Sequence, residues 1–187
     1  MFARTPRLLL RPGWPEDGEA LYRAINDEAI VRNLARAPWP YSRNDAEDFL
    51  SLPHDPKSPR WLIYRRTAGA PSLVGTCGID VMADGSVELG YWIARDHWGL
   101  GYATEAGHAA LETARALGHR DIVASHFVDN PASGNVLTKL GFRPTGRTAP
   151  RFSKGRNRSV AAVEFELSFE GDMSSDIESD VARPLAA

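Results

Sequence analysis

The sequence predicts an α/β domain with a mixed, mostly antiparallel central sheet of about seven strands flanked by helices. Three stretches rich in β-branched and aromatic residues follow one another at residues 61–66, 73–81 and 87–94. Gly, Pro and Asp occupy the short turns between them, which favours an antiparallel meander. Beyond the meander, helical and strand patterns alternate up to residue 169, and this order completes a mixed sheet.

The first sixty residues contain a strand followed by helical stretches. A short apolar strand at residues 7–11 is ended by a proline. Residues 16–26 and 28–34 have helical periodicity, with apolar side chains on one face. A Pro- and Trp-containing segment then breaks the pattern, and Ser42 is suited to cap a further helix through residues 45–52.

The second half of the domain alternates helix and strand. Alanines recurring at three- and four-residue steps predict a helix over about 101–117, with Gly118 as its stop. A strand at 122–128 and a short helix over 131–140 follow. Two more strands end the domain, one near residue 143 and one with a regular inner face. That face consists of Val163, Phe165, Leu167 and Phe169.

The entrance to the 101–117 helix has the features of an anion-binding site. Unpaired N–H groups at a helix start, together with the positive end of the helix dipole, attract anions. Gly99 and Gly101 would let a phosphate approach the backbone closely. Because no lysine lies in this loop, the backbone itself is predicted to bind a pyrophosphate.

The glycine spacing excludes two common nucleotide-binding motifs. A dinucleotide fingerprint requires a third glycine where this chain has Thr104, and a P-loop requires a lysine where it has Tyr102. The loop instead resembles the acyl-CoA loop of the GNAT superfamily of N-acetyltransferases, written Gln/Arg-x-x-Gly-x-Gly/Ala. Trp98 stands in the place of the usual first residue, and Ala103 occupies the last position.

A second motif follows about thirty residues later. Asn130 is suited as a helix N-cap, Pro131 as the first helical residue and Gly141 as a C-cap. The Asn-x-x-Ser sequence, continued by Val-Leu-x-Lys-Leu-Gly-Phe, resembles the closing segment of the RimJ/RimL-type branch of the same superfamily. The resemblance extends over residues 7–169, is sharpest over 88–142, and implies the GNAT fold.

The resemblance implies acetyl-CoA as the acetyl donor, and the histidines have no spacing that would suit a metal. The glycine loop would hold the pyrophosphate, and the gap between the strands of Glu88 and Ile122 would hold the pantetheine. Asn130 would bond the pantetheine amide in addition to capping its helix. The implied acetyl-CoA-binding residues are Trp92, Ile93, Trp98, Gly99, Leu100, Gly101, Tyr102, Ala103, Thr104, Asn130 and Ser133.

Glu88 and Ser133 are the candidate catalytic residues. An amine attacks only when it is neutral, so Glu88 would accept its proton directly or through water; the alternative is a solvated strand glutamate. Ser133 would protonate the departing CoA thiolate, as its counterpart is implied to do in RimL-type relatives; the alternative is an ordinary first-turn residue. Many relatives use a tyrosine near this segment, and none follows Tyr102 here.

Gly90, two residues after Glu88, predicts a bulge or a close backbone approach.

The candidate acceptor residues are Trp39 and Tyr41, which flank the first helices, and His126, which lies on the strand before the second motif. Each has a structural alternative as a core residue. Cys77 is predicted to be a buried strand residue rather than a nucleophile. The basic segment at 147–158 is predicted to form a loop that either attracts an acidic acceptor or a CoA phosphate, or is a plain solvated hairpin.

Composition favours a cytoplasmic protein with one domain over residues 1–169. The 187-residue chain is 43% hydrophobic with a net charge of −2, and it has neither a basic footprint for nucleic acid nor an apolar run of membrane length. A single cysteine excludes an intramolecular disulfide. Residues 170–187 are acidic and lack aromatics, which predicts a mobile tail.

These features favour an acetyl-CoA-dependent N-acetyltransferase that moves the acetyl group directly to a primary amine. The acceptor would be a small molecule or a protein N-terminus, because kinship at the level of the fold does not select among amines. The alternative is a non-catalytic CoA-binding regulatory or interaction module, which would keep the loop but need neither Glu88 nor Ser133. A homodimer is compatible with either function.

Overall fold

The computed structural model describes residues 1–169 and contains one eight-stranded sheet with helices on both faces. The strands are β1 (Ala3–Arg4), β2 (Leu8–Arg11), β3 (Arg60–Arg65), β4 (Ser72–Val81), β5 (Val87–Ile93), β6 (Asp121–Phe127), β7 (Arg143–Ser153) and β8 (Arg158–Ser168). The helices are α1 (Gly18–Ile25), α2 (Glu28–Val31), α3 (Arg43–Ser51), α4 (Tyr102–Ala116) and α5 (Pro131–Lys139). The predicted acidic tail at 170–187 lies outside the described residues.

The sheet order is β1-β2-β3-β4-β5-β6-β8-β7. All neighbouring strands run antiparallel except β5 and β6, which are parallel. The prediction of a mixed, mostly antiparallel sheet is therefore confirmed, and the eighth strand is the two-residue β1, which lies outside the predicted strand at 7–11.

Helix starts follow the capping residues that the sequence suggested. Ser42 accepts a hydrogen bond from the backbone N–H of Asp45, whose carboxylate in turn accepts one from the backbone N–H of Ser42. Gly101 is the N-cap of α4 with a φ of +79°, and Gly118 follows the end of this helix with a φ of +86°. Asn130 occupies the N-cap position of α5, but the prediction that its side chain caps this helix is wrong, because it makes no capping hydrogen bond.

Each face of the sheet has its own apolar core. Helices α4 and α5 cover one face, where Leu89 and Ile93 of β5 pack against residues such as Ala106 and Leu137. Helices α1 to α3 cover the opposite face together with Trp92. Because side chains alternate along a strand, β5 contributes to both cores.

Two sequence predictions about the acceptor side of the fold are corrected by the structure. The helix predicted at 28–34 ends at Val31: the Asn33 side chain takes the Ala29 carbonyl at 2.9 Å, and the backbone N–H groups of Asn33 and Leu34 bond carbonyls only three residues back. The carbonyls of Leu34 and Ala35 then accept hydrogen bonds from a hairpin, from Ser153 Oγ at 3.0 Å and from Lys154 N at 2.9 Å. The basic segment at 147–158 forms this hairpin of β7 and β8, as one of its predicted alternatives had it. The hairpin is not plainly solvated, because Lys154 N and Arg156 Nε donate hydrogen bonds that dock its turn on the protein.

The bulge predicted at Gly90 is also absent, since β4 and β5 pair in regular register throughout. A Cβ placed on Gly90 would meet no atom within 4 Å, so this glycine faces open space. On the other edge of β5, the only residue pair with β6 is Glu88 with Val123. The two strands therefore separate beyond Glu88 and leave an opening in the sheet.

Candidate active site

The loop before α4 is built to present backbone N–H groups. Gly99 and Gly101 have φ values of +74° and +79°, a left-handed conformation that costs an L-residue roughly 1–2 kcal/mol. No side chain caps the helix, so its first N–H groups remain available to a ligand. The positive end of a fifteen-residue helix adds to their attraction for an anion.

Trp98 anchors this loop to the end of β5. Its indole Nε1 donates to the carbonyl of Ile93 at 2.7 Å, while the rest of the side chain is 46% exposed beside the loop. This bond accounts for a tryptophan where the related loops have Gln or Arg, because the indole N–H fixes the loop to the strand. The adjacent Leu100 has an outward-facing side chain that does not line the cavity described below.

A cation that the sequence reasoning missed lies beside the loop. Arg7 donates from Nη1 to the carbonyl of Leu100 at 2.9 Å and from Nε to Glu105 at 2.6 Å. Its Nη2 lies 3.4 Å from the position that a Cβ on Gly101 would occupy. Burial pushes the pKa of Glu105 up, but hydrogen bonds from Thr5 and Arg7 outweigh it and leave that pKa below its usual value. The charge of Arg7 therefore reaches the loop from a segment about ninety residues earlier.

A cavity of about 860 Å³ extends from this loop past the opening between β5 and β6 to the face covered by α1 and α3. It is lined by ten of the implied acetyl-CoA-binding residues, all except Leu100. Glu88, Tyr41 and His126 also line it, whereas Trp39 does not. The structure thus brings the loop, the strand opening and both candidate catalytic residues to one cavity.

Ser133 has a partner that the sequence reasoning did not find. Its Oγ lies 2.8 Å from the phenol oxygen of Tyr91, which also lies 3.2 Å from the Ser133 carbonyl. Burial raises the pKa of Tyr91 to about 12. The sequence showed no tyrosine after Tyr102, but β5 supplies one from an earlier position in the chain. Only the tertiary pairing of β5 with the start of α5 reveals it.

Glu88 is held in an ion pair rather than being free. Both of its carboxylate oxygens accept hydrogen bonds from Arg151, which also donates to Ser125 Oγ at 2.6 Å. The glutamate side chain is 12% exposed and the arginine side chain 32%. This hydrogen bond to Glu88 raises the pKa of Arg151. The basic segment was noted in the sequence, but its contact with Glu88 was not predicted. Two strands lie between β7 and β5, and no local sequence pattern indicates a contact across them.

A second ion pair lies next to the first. Arg36 donates to Asp80 at 2.8 Å and lies 3.7 Å from Glu88. Asp80 and Glu88 are thus each paired with an arginine, while two further carboxylates, Asp45 and Asp48 of α3, also line the cavity.

The predicted acceptor residues occupy different places. Tyr41 is buried at the cavity wall, and burial raises its pKa to about 12. Trp39 is partly exposed outside the cavity. His126 lies on the α5 side of the sheet, where its ring packs 5.5 Å from the centre of Phe165 and close to Gly134.

Cys77 has no features of a nucleophile. It is buried in β4, and burial raises the pKa of its thiol to about 12, so the thiol stays protonated near neutral pH. Within residues 1–169, no group of three His, Cys, Asp or Glu side chains is arranged to bind a metal ion. No helix in the same range is long and apolar enough to cross a membrane.

An anion-binding helix start beside an opening between two parallel strands characterises an acyl-CoA-binding protein, and comparison with known proteins gives the family. Residues 7–143 match the model of the acetyltransferase (GNAT) domain. The chain belongs to this family of acetyltransferases, which use acetyl-CoA as the acetyl donor.

The chain is also similar to individual members of the family. It is 31% identical over 150 residues to the uncharacterized N-acetyltransferase YoaA of Bacillus subtilis, covering 76% of this chain and 82% of that protein. A GNAT-family acetyltransferase structure from Bacillus anthracis superposes with a TM-score of 0.77 at 22% identity, covering 91% and 99% of the two chains. RimL, a ribosomal L7/L12 alpha-N-protein acetyltransferase in complex with coenzyme A, superposes with a TM-score of 0.76 at 18% identity, covering 92% and 100%.

Proposed function

We propose that this protein transfers the acetyl group of acetyl-CoA directly to the primary amine of a small molecule or a protein N-terminus. The observation that carries the proposal is the single cavity that joins the α4 loop, the β5–β6 opening, Glu88 and Ser133. We also propose that it belongs to the RimJ/RimL-type branch, on the basis of its two motifs, and that it acts in the cytoplasm, where its one buried thiol would stay reduced.

The residues of the cavity fit an acyl-CoA. The α4 loop offers N–H groups for the pyrophosphate, and Arg7 adds a positive charge beside them. The facing edges of β5 and β6 beyond Glu88 are not paired with each other, so their backbone groups are free to bond the pantetheine amides. Asn130 lines the cavity, and its side chain makes no cap, which leaves the amide available to the same ligand.

Glu88 is proposed to receive the proton of the attacking amine. As the nitrogen forms its bond to the acetyl carbonyl carbon, it must lose a proton, and a carboxylate at the cavity wall accepts it directly or through water. Arg151 binds one side of each carboxylate oxygen, and an ionised carboxylate has further lone pairs to accept with. Arg151 thereby holds the Glu88 side chain in a fixed orientation.

Ser133 is proposed to act on the other side of the reaction. When the carbon–sulfur bond breaks, the sulfur keeps the electron pair and becomes a thiolate. Ser133 lies in the first turn of α5, where its hydroxyl and the helix dipole both favour negative charge. The hydroxyl donates a hydrogen bond to the thiolate as it forms, and this lowers the barrier for its departure.

The acceptor is proposed to bind on the side of α1 and α3. The cavity there has apolar walls that include Leu21, Ile25 and Tyr41. The carboxylates on this side are Asp80 and Glu88, each paired with an arginine, and Asp45 and Asp48 of α3. The apolar walls favour an acceptor whose amine is attached to an apolar portion.

The rival function is a CoA-binding regulatory or interaction module without turnover. Release of free thiol from acetyl-CoA, measured across a panel of amines that includes single amino acids, peptides, polyamines and arylalkylamines, separates the two. We expect thiol release above the hydrolysis background with at least one amine of the panel. Calorimetric binding of acetyl-CoA with no thiol release across the whole panel would favour the rival module.

A further inference from the structure

We propose that Tyr91 is a positioning residue that aims the Ser133 hydroxyl at the departing sulfur. The inference rests on the proposed role of Ser133, and its first observation is the 2.8 Å distance between the Tyr91 phenol oxygen and Ser133 Oγ. Both residues line the cavity, and under the proposed role of Ser133 their hydrogen bond lies beside the departing sulfur.

The direction of this hydrogen bond follows from the acidity of the two hydroxyls. Burial raises the pKa of Tyr91 to about 12, yet a phenol is still a stronger acid than an aliphatic alcohol and is therefore the better donor. The Tyr91 O–H faces two acceptors on Ser133, Oγ at 2.8 Å and the backbone carbonyl at 3.2 Å, and when it donates mainly to the nearer Oγ the serine proton is free to point at the cavity. Without the phenol, the serine hydroxyl would lose this partner and rotate more freely, and ordering it would oppose the reaction entropically.

Tyr91 is not the source of the proton. A CoA thiolate resembles a cysteine thiolate, whose conjugate acid has a pKa of about 8.5. Transfer of a proton to it from a phenol with a pKa of about 12 would be uphill. Tyr91 keeps its proton throughout, the sulfur leaves with the electron pair of the carbon–sulfur bond, and solvent exchanges protons with the thiolate later. The contribution of Tyr91 is thus orientation and polarisation of Ser133.

The rigidity of β5 supports this role. Tyr91 faces the same core as Leu89 and Ile93, and β5 pairs with β4 over its whole length. The phenol is therefore held by the sheet while Ser133 is held by α5. A hydroxyl fixed between two elements of the scaffold is well placed to act on a third group in the cavity.

The test compares Tyr91→Phe with Ser133→Ala, with the double variant and with Tyr22→Phe as a matched control. Tyr22 lies on α1, outside the cavity, and its hydroxyl accepts a hydrogen bond from Asn26 at 3.1 Å. Each variant is assayed with acetyl-CoA and with its selenoester analogue, in which selenium replaces the sulfur. A selenolate is a weaker base and needs less help to leave. Thermal melting confirms that each variant is folded.

We expect Tyr91→Phe to lower kcat with acetyl-CoA by about threefold to tenfold, the worth of one neutral hydrogen bond, and to leave the KM for acetyl-CoA unchanged. The loss should shrink with the selenoester, and Tyr91→Phe should add no loss in the Ser133→Ala background. Tyr22→Phe should match the wild type.

Three results would overturn the role of Tyr91. They are an equal loss of kcat with acetyl-CoA and its selenoester, a loss of kcat that multiplies with that of Ser133→Ala, and no loss of kcat at all. Failure of the proposed function itself gives a different result, because the wild type would then release no thiol with any amine.

Discussion

The ion pair between Glu88 and Arg151 allows the proposed base to be tested separately from its structural role. Glu88→Gln, Arg151→Gln and the double variant form a thermodynamic cycle in which stability and kcat are measured on the same proteins. Gln keeps the size of Glu and most of the length of Arg, so packing changes little. What changes is charge, which is what the two roles use differently.

The stability effect follows from burial. Glu88→Gln leaves Arg151 without its counterion at a site where the two side chains are 12% and 32% exposed. Loss of one partner costs about 3–5 kcal/mol when both charges are fully buried, and solvent access to Arg151 reduces this to about 2 kcal/mol. We expect each single variant to melt about 4–8 °C below the wild type, and the double variant to lose less than the sum.

The catalytic effect should follow Glu88 alone. Glu88→Gln should lower kcat by about 10²–10⁴, the usual contribution of a positioned base. The loss should shrink as the pH rises, because a larger share of the acceptor amine is then already neutral. Arg151→Gln keeps the carboxylate and should retain kcat within about tenfold, while the double variant should match Glu88→Gln. If all three variants lost kcat equally, Glu88 would be only the counterion of Arg151, and the amine would lose its proton to water.

Two further predictions concern the α4 loop and the docked hairpin. Gly101→Glu should weaken acetyl-CoA binding about a hundredfold or more in calorimetry, because a carboxylate would occupy the anion site beside Arg7. In the control Gly118→Glu, the substituted glycine also has a positive φ and faces open space, so this variant should lose only stability. If acetyl-CoA binding were weakened equally in both variants, acetyl-CoA would bind elsewhere. Asp129→Asn should lower the melting temperature at neutral pH, because hydrogen bonds from Arg156 and Arg32 lower the pKa of Asp129 to about 2. That stabilisation exists above the unfolded pKa of about 4 and is lost as the pH falls towards the folded value, so the difference from wild type should narrow over that range. If the difference in melting temperature stayed constant as the pH fell, ionisation of Asp129 would not be the cause of the stabilisation.

Local sequence signals predicted most of the fold because the features involved are local. Capping residues and alanine periodicity located α4 and α5 to within a residue or two, and three β-rich stretches located the meander. The end of α2 was missed because the Asn33 side chain takes the Ala29 carbonyl and the backbone N–H groups of Asn33 and Leu34 bond carbonyls three residues back. The apolar periodicity of the sequence does not distinguish such turn hydrogen bonds from those of an α-helix.

The site was predictable where it depends on the backbone and unpredictable where it depends on side-chain pairs. Gly99 and Gly101 indicate the loop in the sequence, because glycine readily adopts the left-handed conformation that both residues have before α4. Tyr91 and Arg151 were missed because each meets its partner across a distance of 42 or 63 residues. Arg7 was missed for the same reason, and its hydrogen bond to Glu105 gives that first-turn residue of α4 a structural role.

The alternation of side chains along β5 determines which side of the sheet each proposed catalytic group faces. Glu88 and Tyr91 are an odd number of positions apart, so they face opposite sides of the sheet, and the opening between β5 and β6 connects the two sides. In the proposed reaction, Tyr91 and Ser133 would meet the leaving group on one side, and Glu88 would meet the amine on the other. Cys77, whose buried thiol stays protonated, offers no nucleophile for an acyl-enzyme.

Direct transfer through this opening requires both substrates to be bound at once. Initial rates measured at several fixed acceptor concentrations should therefore give intersecting double-reciprocal lines against acetyl-CoA. An acyl-enzyme would produce parallel lines instead, together with incorporation of labelled acetyl into the protein when the acceptor is left out. Because Cys77→Ala removes only a buried thiol, it should retain the intersecting pattern and the wild-type kcat in a folded protein. Parallel lines that disappear in Cys77→Ala would show that the transfer passes through that thiol.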